Sequence, residues 1–308
     1  MKATTQSFYA AAVRRTVDRI VHQLDEALDL SALAKEAALS PFHFHRVFRG
    51  MVGETPLELH RRLRMERAAL HLLQGGAGVT SIAFEAGYDT HEAFTRAFRA
   101  AYGVPPSEFR RSSPGAGQDC VRPRQTWLTA RSGIHFQPEA PAAAWAFPIP
   151  GGHTMDVVLK QMPALRLATV PHVGPYSRIS EAFQKLGQLA GAAGLLRQRE
   201  VTMLGVYHDV PETTPQEQLR SEAAVVVPEE AVLPEGLGER RLAAGRYAST
   251  VHVGPYTELG DVWGRLMGQW LPDSGHRVGE GVSFEIYRNT PMEVPPAELR
   301  TELYVPLA

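Results

Sequence analysis

The chain has 308 residues, 44% of them hydrophobic and 21% charged, and a formal net charge of −1. Those values suit a globular protein long enough for two domains, and no stretch approaches the roughly 18 apolar residues of a membrane span. The single cysteine, Cys120, excludes an intrachain disulfide and fits a reducing cytosol, so a cytoplasmic protein is expected. The opening MKATTQSFYAAAVRR has no apolar run before a small-residue cleavage site, so no signal peptide is expected.

Charge is unevenly spread. Residues 1–111 hold 15 Lys/Arg against 12 Asp/Glu, and residues 112–308 hold 17 against 21. A basic front and an acidic back point weakly toward a nucleic-acid-binding front.

The front reads as helices throughout. Phe8–Leu28 has helical spacing; Ser31 is the expected N-cap of ALAKEAAL, and Ser40 that of PFHFHRVFRGMVG. Pro56–Leu73 is a long amphipathic helix stopped by Gly75–Gly76, and TSIAFEAG, THEAFTRAFRAAYG and VPPSEFRR follow. This part repeats itself at an offset of 49 to 50: Ala34 meets Ala83, Arg46 meets Arg96, Phe48 meets Phe98 and Pro56 meets Pro106. Each copy is a short helix, a tight turn and a second helix, the pattern that sets its second helix in a major groove. A connector of about 18 residues spans roughly 27 Å at ~1.5 Å per residue. That length suits two recognition helices about one DNA turn, ~34 Å, apart.

The segment from 30 to 111, and AFTRAFRAAYGVPPSEFR above all, resembles the DNA-binding domain of AraC/XylS-type transcription regulators. The resemblance implies that Phe42, His45 and Arg46 face DNA from the first recognition helix, and His91, Glu92, Thr95 and Arg96 from the second. Arg46 and Arg96 suit guanine O6 and N7, and Glu92 suits a cytosine amino group. Phe44, Phe48, Phe94 and Phe98 are expected in the core, and Arg61, Arg62, Arg64 and Arg67 against phosphate or solvent.

Residues 112–154, rich in Pro, Gly and Ala, read as a linker holding one or two short strands, with Cys120 as a plain linker thiol. Beyond it the pentapeptide HVGPY occurs at 172–176 and again at 252–256, and the offset of 80 continues: Gly205–Pro228 lies over Glu285–Ala308 without a gap. Residues 155–308 are therefore a tandem duplication, with repeats at about 155–230 and 231–308. Each copy reads as strand, helix, strand, strand. The expected architecture is multidomain, an all-α double helix-turn-helix domain at 1–111 followed by an α+β domain of two such repeats.

Function is sought where the copies differ. Glu285 replaces Gly205, Trp263 replaces Phe183, and Trp270 replaces Ala190. Alternation puts Phe284 and Ile286 on one strand face, Glu285 and Tyr287 on the other. A carboxylate among aromatic faces suits an organic cation. Glu222 and Glu302 occupy equivalent positions and read as structural.

HVGPY, FEIYRNTP and ELYVPL make 155–308 similar to the GyrI-like small-molecule-binding family. That resemblance implies a cleft between the repeats in which Glu285, Tyr256, Trp263 and Tyr287 hold a small hydrophobic, cationic ligand, and the difference between the copies adds Trp270 to the candidates. The leading expectation is a one-component regulator, not an enzyme, whose partners are promoter DNA, a small-molecule effector and RNA polymerase. Alternatives are a rear domain that hydrolyses a toxic electrophile with Glu285 as acid or base, and a protein-docking module. The sequence has no Ser-His-Asp signature, metal-ligand spacing or phosphate loop, so no cofactor or metal is expected.

Overall fold

The computed structural model of the chain describes residues 2–111, 126–138, 155–198, 200–209 and 214–308. Cys120 lies outside them, as does much of the expected linker. The chain packs as two compact units that interleave along the sequence. One comprises Met1–Ala10, Ala34–Gly50 and Pro150–Ala308; the other comprises Ala11–Leu33 and Met51–Ile149.

The helical unit takes most of α1 (Lys2–His22) and the start of α2 (Leu30–Glu36), then α4 (Pro56–Gln74), α5 (Val79–Glu85), α6 (His91–Tyr102) and α7 (Pro106–Arg111). Asp29, not Ser31, caps α2, its carboxylate accepting from the Ser31 and Ala32 amides. α4 opens on a capping box, in which Thr55 accepts from the Glu58 amide at 3.1 Å and Glu58 accepts from the Thr55 amide at 2.8 Å. Leu72, Ile82, Ala83, Phe94 and Phe98 make its core.

Part of the expected linker belongs to this unit. Glu66 of α4 is buried, and it accepts from Arg62 Nη1 (2.8 Å), the Leu128 amide (3.0 Å), the Phe136 amide (2.8 Å) and His135 Nδ1 (3.1 Å). Trp127 stacks on His135 at 4.3 Å. Arg62 also pairs with Glu54 at 2.7 Å and reaches the Ile134 carbonyl. It is thus the partner that a buried carboxylate needs, not the phosphate or solvent residue expected. Arg67 bonds Asp25 and the Glu85 carbonyl, Arg64 bonds the Leu24 carbonyl, and Arg61 is exposed.

The sheet unit is built on eight antiparallel strands: β1 (Val158–Met162), β2 (Leu165–Val173), β3 (Met203–Tyr207), β4 (Arg220–Val227), β5 (Gly238–Leu242), β6 (Gly245–Val253), β7 (Phe284–Tyr287) and β8 (Arg300–Pro306). Their order is β1-β6-β8-β7-β3-β4-β2-β5. Shifting each strand by one repeat reverses that list onto itself, so a pseudo-two-fold axis runs between β3 and β7. Each repeat gains a leading strand beyond the four elements expected, and the two are exchanged: β1 pairs with β6 of the second copy, β5 with β2 of the first. Both are outer strands carrying charge, which protects the sheet edges.

α8 (Ser180–Ala192) follows β2, and α9 (Leu259–Arg265), a π-helical turn (Leu266–Trp270) and α10 (Leu271–Ser274) follow β6. The HVGPY corner is built alike in both copies. Gly174 and Gly254, at φ 134° and 147°, donate to the carbonyls of Leu219 and Leu299 at 2.8 and 2.9 Å. His172 and His252 reach the carbonyls of Pro175 and Pro255 at 3.2 and 3.3 Å. The pentapeptide recurs because each copy turns the same corner. The first part of α3 (Pro41–Val52), through Gly50, also belongs to this unit.

Candidate functional site

β7 sets the site. Phe284 and Ile286 join Leu204, Val206 and Tyr304 in the core on one face of the sheet. Glu285 therefore projects from the other face, where it is 3% exposed. Its Oε1 accepts from Trp263 Nε1 of α9 at 2.6 Å, and its Oε2 accepts from the Tyr287 hydroxyl at 2.7 Å. Tyr207 of β3 lies 2.6 Å from the Tyr287 hydroxyl; since that proton goes to Glu285, Tyr207 is the donor.

Gly205 pairs directly with Glu285 across the axis. A Cβ there would stand 2.8 Å from the Tyr287 hydroxyl and 3.2 Å from that of Tyr207. The glycine is therefore the space that the paired phenols, Tyr207 of its own repeat and Tyr287 of the other, require. Burial raises the Glu285 pKa, opposed by the bonds from Trp263 and Tyr287 and by the charges of Arg46 and His252. Burial also holds the Tyr207 and Tyr287 phenols well above their ordinary value, and pushes Tyr176 up to about 12.

Other rings close the walls. Tyr256, 37% exposed, meets Tyr287 edge-on at 5.4 Å, Phe183 meets it at 5.5 Å, and Tyr176 meets Tyr207 at 4.8 Å. Of the five expected ligand residues, Glu285, Trp263, Tyr287 and Tyr256 stand together. Trp270 does not join them; it lies in the π-helical turn, stacked toward His276 at 6.3 Å. Tyr207, Tyr176 and Phe183 escaped the sequence reading, although Tyr207 sits one repeat before Tyr287 and carried that signal.

The first recognition helix brings a cation to this cluster of side chains. The Arg46 guanidinium lies 3.8 Å from the centre of the Trp263 ring and 4.1 Å from that of Phe42. His43 Nε2 is 2.9 Å from the buried hydroxyl of Ser283. Gly50 abuts α9 and the π-helical turn after it, where a Cβ would collide with the Gly264 carbonyl oxygen and lie 2.5 Å from the Gly268 Cα. His45 is 4% exposed, and burial, with Arg49 and Arg46 nearby, lowers its pKa to about 3. His43 is lowered to about 4 by burial and Arg46. Phe42, His45 and Arg46 were expected on an open DNA-reading face. In this structure that face is packed within the sheet unit, with Arg46 on the Trp263 ring, His43 bonded to Ser283 and His45 buried.

In α6 the pattern is the expected one for an open helix. His91, Glu92 and Arg96 are exposed, Thr95 is half-buried, and Phe94 and Phe98 are in the core. Thr90 caps the helix through the Ala93 amide at 3.1 Å.

Glu222 and Glu302 are matched ion-pair anchors. Glu222 accepts from His208 and Arg240; Glu302 accepts from Arg288 and Lys160, each partner one repeat from its counterpart. Burial would raise both carboxyls, but these bonds outweigh it and hold each at about 2. Arg240 and Lys160 come from the exchanged strands, so the pairs also fasten the exchange. A hollow of about 480 Å³ lined by Met155, Lys160, Thr250, His252, Val262 and Arg265 opens beside β1 and β6, apart from Glu285. Among the described residues, no group of three or more His, Cys, Asp or Glu is placed to hold a metal, and no helix is long and apolar enough to cross a membrane.

Comparison with known proteins agrees with this anatomy. The model of the GyrI-like small molecule binding domain matches residues 155–308, and a helix-turn-helix domain model matches 33–112. A DNA gyrase inhibitor of Erwinia billingiae (strain Eb661) is 33% identical over 161 residues, 50% of this chain and 98% of that protein. The probable transcriptional regulator YgiV of Escherichia coli (strain K12) is 30% identical over 159 residues, 50% of this chain and 98% of that protein. The HTH-type regulator YbfP of Bacillus subtilis (strain 168) is 33% identical over 103 residues, 33% of this chain and 35% of its own length. Among solved structures, EcmrR in its DNA complex is 22% identical with a TM-score of 0.44, over 49% of this chain and 57% of that one. Since the first model spans half of its residues, the chain belongs to the GyrI-like small molecule binding domain family and joins that domain to an AraC-type helix-turn-helix domain.

Proposed function

We propose that the protein is a one-component transcription regulator whose GyrI-like domain binds a small hydrophobic cation in the Glu285 cleft. The observation that carries this reading is a buried carboxylate with both oxygens held, by Trp263 and Tyr287, beside an indole face on which a guanidinium already rests. Aromatic faces attract positive charge, and a partly dry carboxylate strengthens that attraction. The similarity to YgiV, a probable transcriptional regulator, and to the HTH-type regulator YbfP supports the regulatory half, as does the exposed face of α6. His91, Glu92 and Arg96 would read promoter DNA there, with Phe42, His45 and Arg46 contributing once α3 presents them. Regulation would act through promoter affinity or contact with RNA polymerase. The DNA gyrase inhibitor relative supports instead a docking role for the domain alone, which a binding test separates.

Calorimetric titration of tetraphenylphosphonium, with triphenylphosphine oxide as neutral control, tests the cleft in wild type and Glu285→Gln. Saturable binding of the cation alone, weakened about tenfold (~1.4 kcal/mol) in the variant, is expected. Equal binding in both proteins would remove Glu285 from the site.

The raised pKa of Glu285 favours a second reading, in which it is the general base of a hydrolase. Chromatographic detection of a hydrolysed lipophilic ester, abolished by Glu285→Gln, would select that reading over plain binding.

A further inference from the structure

We infer that Arg46 is the built-in occupant of the Glu285 cleft, and that a cationic effector and the first recognition helix compete for this one site. The inference rests on the cation reading above and adds how it is regulated. The guanidinium is stacked between the Trp263 and Phe42 rings at 3.8 and 4.1 Å. Its charge acts on the groups that line the cleft: Glu285, Tyr207 and Tyr176. A flat, weakly hydrated guanidinium on an indole beside a carboxylate is the intramolecular counterpart of a lipophilic organic cation.

The contact is part of a docked face. Phe42, Arg46 and Gly50 recur every four residues along α3, so they share one side of the helix. His43 adds a hydrogen bond to Ser283, and Gly50 lets the backbone approach Gly264 and Gly268. Phe42 and Arg46 are also residues that the helix-turn-helix pattern assigns to DNA. The docked helix therefore withholds its reading face.

A cation that takes the Trp263 ring must move Arg46, and moving Arg46 loosens α3. Effector binding and DNA reading by α3 are then positively coupled, and the coupling is reciprocal. Its size is set by the difference in cation affinity between the docked and released forms.

The test uses the full chain and tetraphenylphosphonium. Removing the internal competitor with Arg46→Ala is expected to tighten cation binding at least fivefold over wild type, while Glu285→Gln weakens it. Equal or weaker binding by Arg46→Ala, with Glu285→Gln still weakened, overturns the competition and leaves the cation site standing. Failure of the cation to bind wild type and both variants overturns the site itself, and the competition with it. Amide hydrogen exchange on wild type needs no variant and so survives a misfolded Arg46→Ala. Saturating cation is expected to speed exchange at least tenfold across residues 42–50 and leave α6 unchanged. Unchanged exchange in α3 at saturation overturns the inference.

Discussion

In α3 and α6 the residues Phe44 and Phe94, Phe48 and Phe98, and Arg46 and Arg96 correspond, and all four phenylalanines are at most 1% exposed. Around that shared frame the helices differ. Where α6 has Glu92, Ala93 and Thr95, α3 has Phe42, His43 and His45. A charged and small surface stays in water; an aromatic one is more readily buried, and His43 keeps a hydrogen-bond partner there in Ser283. Thus Arg96 is exposed on its helix, whereas Arg46 rests on the Trp263 ring. The phenylalanines build a helix-turn-helix, and the residues between them decide what it faces.

The largest effect should fall on the shared frame. Phe48→Ala and Phe98→Ala should each lose about 3–5 kcal/mol in denaturant unfolding, since both leave a ring-sized cavity. A much smaller loss for one of them would break the equivalence of the two helices.

The next effect separates them. Gly50→Ala places a methyl against the Gly264 carbonyl and Gly268, and overpacking of this kind costs about 1–3 kcal/mol. It should accelerate exchange in residues 42–50 and spare α6. Wild-type exchange rates in α3 would show that the close approach is not holding the helix.

DNA binding by the full chain should then discriminate the arginines. Without cation, Arg96→Ala should weaken binding to its operator by about tenfold, the low end of a bidentate guanine contact. Arg46→Ala should change it less than threefold until saturating cation is added. Equal losses in the cation-free protein would mean that α3 reads DNA while docked.

The smallest effect is acid-dependent. His43, beside Ser283 and Arg46, and His45, beside Arg46 and Arg49, are lowered to about 4 and about 3 by burial, against 6.5 in the unfolded chain. The native state therefore binds fewer protons than the unfolded one between those values. Stability from the neutral imidazoles is complete above about pH 6.5 and is lost as pH falls through about 4 and then 3. Exchange in α3 should rise modestly from pH 7 to about 6, corrected for intrinsic rates, and more than in α6.

Repetition made much of this molecule readable before its structure. The offset of 80 gave the duplication, strand alternation gave the Glu285 and Tyr287 face, and helical spacing gave the four core phenylalanines. What escaped depends on contacts between distant segments. β1 and β5 are short, charged edge strands whose partners lie in the other repeat, so nothing local marks them. Residues 126–138 look like linker because the groups that hold them, Glu54, Arg62, Glu66 and Tyr102, come from distant helical segments and leave no local mark. Arg46 reads as a DNA residue by position, and only the fold brings Trp263 beneath it. Trp270 differs between the repeats as Trp263 does, but such a difference marks a candidate without saying which way its side chain points.

The most direct test of the shared site is a double-mutant cycle in tetraphenylphosphonium affinity, using wild type, Arg46→Ala, Glu285→Gln and the double variant. If Arg46 occupies the Glu285 cleft, Arg46→Ala tightens binding several-fold in wild type and far less once Glu285 is Gln. The two changes then depart from additivity by about 1 kcal/mol, as for residues in contact. The same gain in both backgrounds would place Arg46 outside the cleft and contradict the account.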